Sequence, residues 1–237
     1  MLEKAEEVIK AVASDCEFAL ARFEEKKCYI RNQVISEFSH HFNQLKGFEL
    51  SNKKDSMENI QLSVSDTLKI IDKNLKMSSL LAIFGALRAA EMEKKLENAK
   101  AYCSQVEAAV KKADAMIDNL QAVRKMADLF TRQITKLDAL FFSLSQDAIA
   151  TMKKHHYDTS RYDQEEKDQL CVTVSTLSTL SAFLKVPIMD EHQKLNKKAQ
   201  NALNLMRNQI NALESAQESR HYDVAMIQSN QTSLENL

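Results

Sequence analysis

The sequence predicts an all-α protein, an elongated antiparallel helical bundle or coiled coil with one very long helix. Three observations carry that prediction. The chain of 237 residues holds two glycines and one proline, where average usage gives roughly 16 and 12. Apolar residues recur at steps of three and four along most of its length, which is the spacing of one helix face. Lysine and glutamate are interleaved between them, as on solvated helix faces. Sheets, hairpins, phosphate-binding loops and nucleotide-binding crossovers need Gly or Pro at their turns. Those folds are excluded, and with them most of the enzymes built on them.

The first helix is expected from about 2 to 45, striped by Ile9, Val12, Cys16, Ala19, Phe23, Ile30, Val34, Phe38, His41 and Leu45, with gaps near Lys26. Gly47 stands where a C-capping glycine would, and 46–55 reads as a loop. Asp55 with Glu58 forms a capping box that opens a helix from about 56 to 152. Its seam begins Val64, Leu68, Ile71, Leu75 and runs without a skip through Leu96, Cys103, Val110, Ile117 and Leu120. This is a 3.5-residue repeat. After Leu120 the phase moves by three residues to Val123, Ala127, Phe130, Ile134, Leu137, Phe141, Leu144 and Ala148.

The polar run 153–163 is expected to end that helix, and Asp163 with Glu166 makes a second capping box. The helix at about 164–185 is apolar on more than one face, with Leu170, Val172, Val174, Leu177, Leu180, Phe183 and Leu184. It therefore belongs between other helices. Val186 and Pro187 stop it, leaving 186–190 as a loop. Asp190 with Gln193 reads as a third box, opening a last helix at about 191–228 on Leu195, Ala199, Ala202, Met206, Ile210 and Leu213. A frayed tail is expected from Ser229. Together these elements make one domain over 1–237.

Thirty-two basic and 33 acidic residues leave a net charge of −1. A nucleic-acid binder shows a basic surplus, so no such partner is expected. Cys16, Cys28, Cys103 and Cys171 have no metal-site spacing; Cys16, Cys103 and Cys171 fall on apolar stripes as small core residues. Reduced thiols fit a cytoplasmic location, and MLEKAEEVIK lacks the apolar core of a secretory signal. Neighbouring histidines on a helix point about 100° apart, so His40–His41 and His155–His156 cannot chelate one metal as an i, i+4 pair does. Asp190, Glu191 and His192 are explained by capping. No catalytic, cofactor-binding or metal-ligating residue is predicted, nor a cofactor or a small-molecule substrate, and the protein is expected not to be an enzyme.

One segment departs from the pattern. In MSSLLAIFGALRAA, Met77 to Ala90, the seam positions Ser78, Ala82, Gly85 and Ala89 are small, while Leu80, Leu81, Ile83, Phe84 and Leu87 lie off the seam. Small residues let helix backbones approach closely. The bulky ones form an apolar collar that a two-helix seam does not bury. At about half the roughly 20 residues needed to cross a bilayer, the segment is too short to span one. It is either the widest part of the core or a tip touching a membrane or a partner. A helix running straight through it and a hairpin turning near 78–87 are both open, and preserved phase on both sides favours the straight path.

EMEKKLENAKAY, LQAVRKMADLF, YDTSRYDQEEKDQL and VPIMDEH, spread over about 90 to 195, resemble a group of uncharacterised bacterial all-helical coiled-coil proteins. In that group coiled-coil arms flank a long Gly/Ala-rich hydrophobic segment similar to a membrane-inserting hairpin. Here SSLLAIFGA stands in its place, so the hydrophobic part is short. The group's shape is similar to that of α-helical pore-forming toxins, an analogy that transfers no site residues. The resemblance implies a membrane-interacting helical protein, pore-forming or membrane-remodelling, in the cytoplasm or peripheral to a membrane. The alternative is a soluble coiled-coil scaffold that assembles with itself or with a helical partner.

Overall fold

The computed structural model describes residues 2–47, 99–192, 194–219 and 222–236. The helices are α1 (Leu2–Tyr29), a π-helical turn (Ile30–Ile35), α2 (Ser36–Phe42), α3 (Ala99–Lys154), α4 (Gln164–Lys185), α5 (Lys197–Ser219) and α6 (Val224–Glu235). The protein is an all-α bundle, and among the described residues it has no strand, only two isolated bridges. With 56 residues, α3 is the longest described helix, roughly 84 Å at 1.5 Å per residue.

The seam expected for the second half of α3 is the centre of the bundle. Leu120, Val123, Ala127, Phe130, Ile134, Leu137, Phe141, Leu144 and Ala148 are all buried. Phe130 lies edge-on to Phe23 of α1 and stacks on Phe183 of α4 at 4.4 Å. Three helices thus meet on one α3 side chain. Nearer the start of α3, Val110, Ala113, Met116 and Ile117 are only half-buried. The seam continues there, but its cover thins.

α1 runs parallel to α3. Arg124 Nη1 donates to Asp15 at 2.7 Å, Arg22 pairs with Asp128, Lys26 with Asp138, and Gln146 with Glu37. The partner number rises with the residue number throughout. The antiparallel arrangement holds for α3 and α4, where Phe130 meets Phe183 and Lys154 meets Glu166. It does not hold for α1 and α3. Gly47 and Ala99 consequently lie toward opposite ends of α3. Of the helix predicted from 56 to 152, α3 contains 99–152; residues 48–98, with the Asp55–Glu58 box and the whole apolar segment, lie outside the described residues.

The first helix follows its predicted stripe with a change of phase. Val12 and His41 are half-buried, while Ala13, Leu20, Ile35 and Phe42 join the core. The gap near Lys26 is filled by an ion pair, Lys26 Nζ to Asp138 Oδ2 at 2.7 Å, with the side chains 22% and 10% exposed. The π turn follows directly. Its wider turn admits one extra residue, so that Val34 and Ile35 both face inward before the α-helical phase resumes at Phe38. The helical path ends at Phe42, with Asn43 as its cap. Gly47 does hold a left-handed backbone, φ +72, but as the bend after Lys46 and not as the helix cap.

α4 matches its expected bounds, and its capping box is complete: Glu166 N–H donates to Asp163 Oδ1 at 2.9 Å and Asp163 N–H to Glu166 Oε2 at 3.2 Å. Its sequence is hydroxyl-rich, yet Thr173, Ser175, Thr176, Thr179 and Ser181 are all buried. The threonines donate to the carbonyls of Gln169, Val172 and Ser175 at 2.8 Å each. Back-bonding of this kind satisfies a buried hydroxyl within its own helix. Val186, extended before Pro187, ends the helix as expected.

The last helix is corrected twice. Asp190 does not cap it: its Oδ1 accepts from the N–H groups of His192 and Lys194 within a hairpin-like loop closed by Met189 and Leu195. α5 starts at Lys197, capped by Asn196 through the Lys198 N–H at 2.9 Å. The partner expected for Asp190, Gln193, lies outside the described residues. Second, the helix does not run on to 228. Asp223 caps a separate helix, α6, by accepting from Met226 N–H. α6 folds back into the bundle with Ile227 and Leu234 buried, so the segment from Ser229 is helical and docked where a frayed tail was expected. Gln209 on α5 fixes the fold-back, its Nε2 donating to the Ile227 carbonyl at 3.3 Å.

The ion pair in the Lys26 gap yields a prediction. Asp138 Oδ1 is buried without a hydrogen-bond partner, so Lys26→Met leaves a nearly buried carboxylate uncompensated and should cost about 3 kcal/mol. Adding Asp138→Leu should recover most of that loss, because an apolar pair of similar volume replaces a buried ion pair at little cost. Urea denaturation of the single and double variants measures both effects.

Candidate functional site

The residues predicted to contact a membrane or partner, Leu80, Leu81, Ile83, Phe84 and Leu87, and the small seam residues Ser78, Ala82, Gly85 and Ala89, all lie outside the described residues. The densest polar cluster of the described structure is instead at the far end of α3. There the end of α2 meets the turn between α3 and α4.

The turn begins with the end of α3. Tyr157 N–H donates to the Met152 carbonyl at 2.8 Å and His156 N–H to the Lys153 carbonyl at 3.1 Å. This is the pairing of a Schellman motif, whose left-handed position usually holds glycine. Here His156 fills it with φ 53, and Tyr157 follows with φ 63. A Cβ in that region costs roughly 1–2 kcal/mol per residue. The geometry aims the Tyr157 carbonyl at Lys46 N–H, 2.8 Å away, and the Tyr157 hydroxyl at His41 Nδ1, 2.9 Å away. The His41 and Tyr157 rings also stack, 6.1 Å apart and nearly parallel at 7°. With its proton on Nε2, the neutral imidazole accepts the Tyr157 O–H. Thr159 completes the junction, its N–H and hydroxyl donating to the Lys46 carbonyl at 3.1 and 2.9 Å.

Glu166 ties the other side of the turn to α4. Its carboxylate accepts from Lys154 Nζ at 2.8 Å and contacts His155 Nε2 at 2.9 Å, while closing the capping box on Asp163. The Lys154 hydrogen bond, then that of His155, holds the Glu166 carboxyl at about 2, well below its ordinary 4.5. Tyr162 lies against the His155 ring at 5.1 Å, its hydroxyl buried without a partner. Burial pushes that phenol up to about 12. At His41, burial first, and then the charge of Lys153, hold the pKa below 6.5.

The cysteines play no part in this cluster. Burial pushes Cys16 up to about 11 and raises Cys171 as well, so both thiols stay protonated at neutral pH and pack as small apolar groups. Cys103 belongs to the stretch whose side chains are not described. Among the described residues no three His, Cys, Asp or Glu side chains are placed to share a metal ion. The sequence showed His41 as a core-edge residue and His155–His156 as part of a polar turn. It did not show their partners, because Tyr157 and Glu166 are brought to them by left-handed backbone and by helix packing. The one local signal was the Asp163–Glu166 box, which fixes the Glu166 carboxylate beside the end of α3. Compared with protein families, characterised proteins and solved structures, the chain finds no match.

Two predictions follow from the turn. His156→Gly should raise stability by about 1 kcal/mol, since glycine accepts the left-handed position without the Cβ penalty. A loss of stability, read by thermal melting, would show that the imidazole makes a compensating contact. For acid, both signs agree. The neutral form of His41 is favoured in the fold, so its contribution is present above pH 6.5 and declines as the pH falls below that value. The Glu166 contribution is present above pH 4.5 and is lost as the pH falls toward 2. Urea midpoints measured across pH should fall in these two windows, and Glu166→Gln should flatten the lower one only.

Proposed function

We propose that the chain is a non-enzymatic helical protein whose arm carries an apolar segment, residues 77–90, to a membrane surface, in the manner of a pore-forming or membrane-remodelling component. The observation that supports this reading is the thinning cover of α3. From Glu107 to Asn119 no α3 side chain is buried, although Val110, Ala113 and Ile117 continue the seam. The packed core begins at Leu120. α3 therefore extends past the core as an arm of several turns, away from the His41–Tyr157 junction. Only eight residues lie between Ala90 and Ala99, which are thus at most about 30 Å apart. In chain order the apolar segment precedes Ala99, where the arm begins. No described helix is long and apolar enough to cross a membrane. The apolar segment is about half the length needed to span a bilayer, so the proposed contact is with a surface, through the collar of Leu80, Leu81, Ile83, Phe84 and Leu87.

A second reading, a soluble scaffold assembling with itself or with a helical partner, is favoured by exposed apolar side chains on the bundle itself. Phe18 on α1 is 66% exposed and Phe142 on α3 is 50% exposed. Flotation with phosphatidylcholine/phosphatidylglycerol vesicles separates the two readings. The membrane reading predicts that the chain floats and that Leu80, Leu81, Ile83 and Phe84 changed together to Ser lower the bound fraction at least ~10-fold, since each buried side chain contributes about 2 kcal/mol. A chain that stays at the bottom of the gradient, yet sediments as an oligomer, would overturn it in favour of the scaffold.

A further inference from the structure

The end of α2 is joined to the turn after α3 by few contacts. They are Lys46 N–H to the Tyr157 carbonyl, the two Thr159 donors to the Lys46 carbonyl, and the His41–Tyr157 pair. These contacts hold Lys46, next to Gly47, against the turn. Their acceptor side is the turn in which His156 and Tyr157 are both left-handed. Such backbone persists only while its surroundings hold it.

His41 sits at the centre of the junction. Lys153 faces it from α3, His40 and Glu37 from its own helix, and the Tyr157 hydroxyl from the turn. A proton added to the ring places a cation beside the Lys153 ammonium, with Glu37 the acidic group in opposition among the described residues. The exposed His40 ring lies 5.3 Å away, edge to face. By contrast, the contacts that build the core around Phe23, Phe130, Phe141 and Phe183 are apolar and do not titrate.

We propose that this junction is an acid-released latch: protonation of His41 detaches the segment from the end of α2 to Gly47 from the left-handed turn, while the core centred on α3 stays folded. The depressed pKa of His41 has the sign this requires, because a group whose protonation the fold opposes weakens that part of the fold when the proton binds. The latch is independent of whether the partner is a membrane or a protein.

Hydrogen exchange of the full chain, corrected for the intrinsic rate, tests the latch at about pH 7.5 and about pH 5, either side of the ordinary histidine range. Expected is a loss of protection of about tenfold or more at the Lys46 and Thr159 amides at the lower pH, with Ile134 to Leu144 unchanged. His41→Gln keeps a neutral acceptor for the Tyr157 hydroxyl and should hold the junction closed at both values. Unchanged protection in the natural chain, or an equal loss in His41→Gln, overturns the proposal. Should His41→Gln already open the junction near neutral pH, the ring titration of His41 in the natural chain decides. A midpoint coinciding with the loss of protection supports the latch, and one displaced by more than about one unit contradicts it.

Discussion

Everything in the described structure depends on the buried face of α3. From Leu120 to Met152 it offers an unbroken apolar seam, and α1, α4 and α5 all pack against it. α6 is held one layer out, against α4 and α5. The seam does not choose the direction of its partners. That choice falls to the polar pairs at its margin, Asp15 with Arg124, Arg22 with Asp128, Lys26 with Asp138, and finally His41 with Tyr157. Exposed pairs of this kind contribute little stability; at the margin of an apolar seam they still discriminate between registers, since the wrong register leaves the Lys26–Asp138 pair buried and unmatched. The parallel run of α1 beside α3 has a topological cost. It separates Gly47 from Ala99 by most of the length of the longest described helix.

Much of this was legible from periodicity alone, and the parts that were not share a cause. The α3 seam from Leu120 to Ala148, the bounds of α4 and the Asp163–Glu166 box are local: a repeat of three and four or a cap at i, i+3 carries its own meaning. Helix direction is not local, because α1 shows the same stripe whether it lies parallel or antiparallel to α3. The π turn, Ile30–Ile35, lies just past the gap near Lys26 and keeps Ile30 and Val34 on the predicted stripe, so the spacing did not mark it. At Asp190 the capping pattern was present but the side chain bonds His192 and Lys194 in a loop, so a correct local propensity was spent on a different local structure. The break before Asp223 was missed because Val224 and Ile227 kept nearly the right phase. Of the candidate site, the sequence showed the apolar segment at 77–90, which lies outside the described residues, and missed the His41 junction, whose partners meet only through tertiary packing.

The two ends of the molecule thus differ in chemistry. At the 155–163 turn, imidazole, phenol, ammonium and carboxylate groups fasten α2, α3 and α4 together around strained backbone. Toward Glu107 the apolar seam of α3 continues through Ile117, Ala113 and Val110 with thinning cover. In α4 the buried threonines satisfy their hydroxyls within the helix, so packing around them carries few directional demands.

The parallel register of α1 on α3 is the central claim, and spin-label distances test it directly. Ser14, Lys125 and Lys153 are exposed and can be labelled in pairs without entering the core. With Asp15 paired to Arg124, labels at Ser14 and Lys125 should lie within about 20 Å of one another. Labels at Ser14 and Lys153 should lie roughly 40 Å apart, from the rise of the intervening α3 residues at 1.5 Å each. The reverse order, with Ser14 close to Lys153 and far from Lys125, would mean that α1 is antiparallel to α3 and would contradict both the topology and the junction at His41.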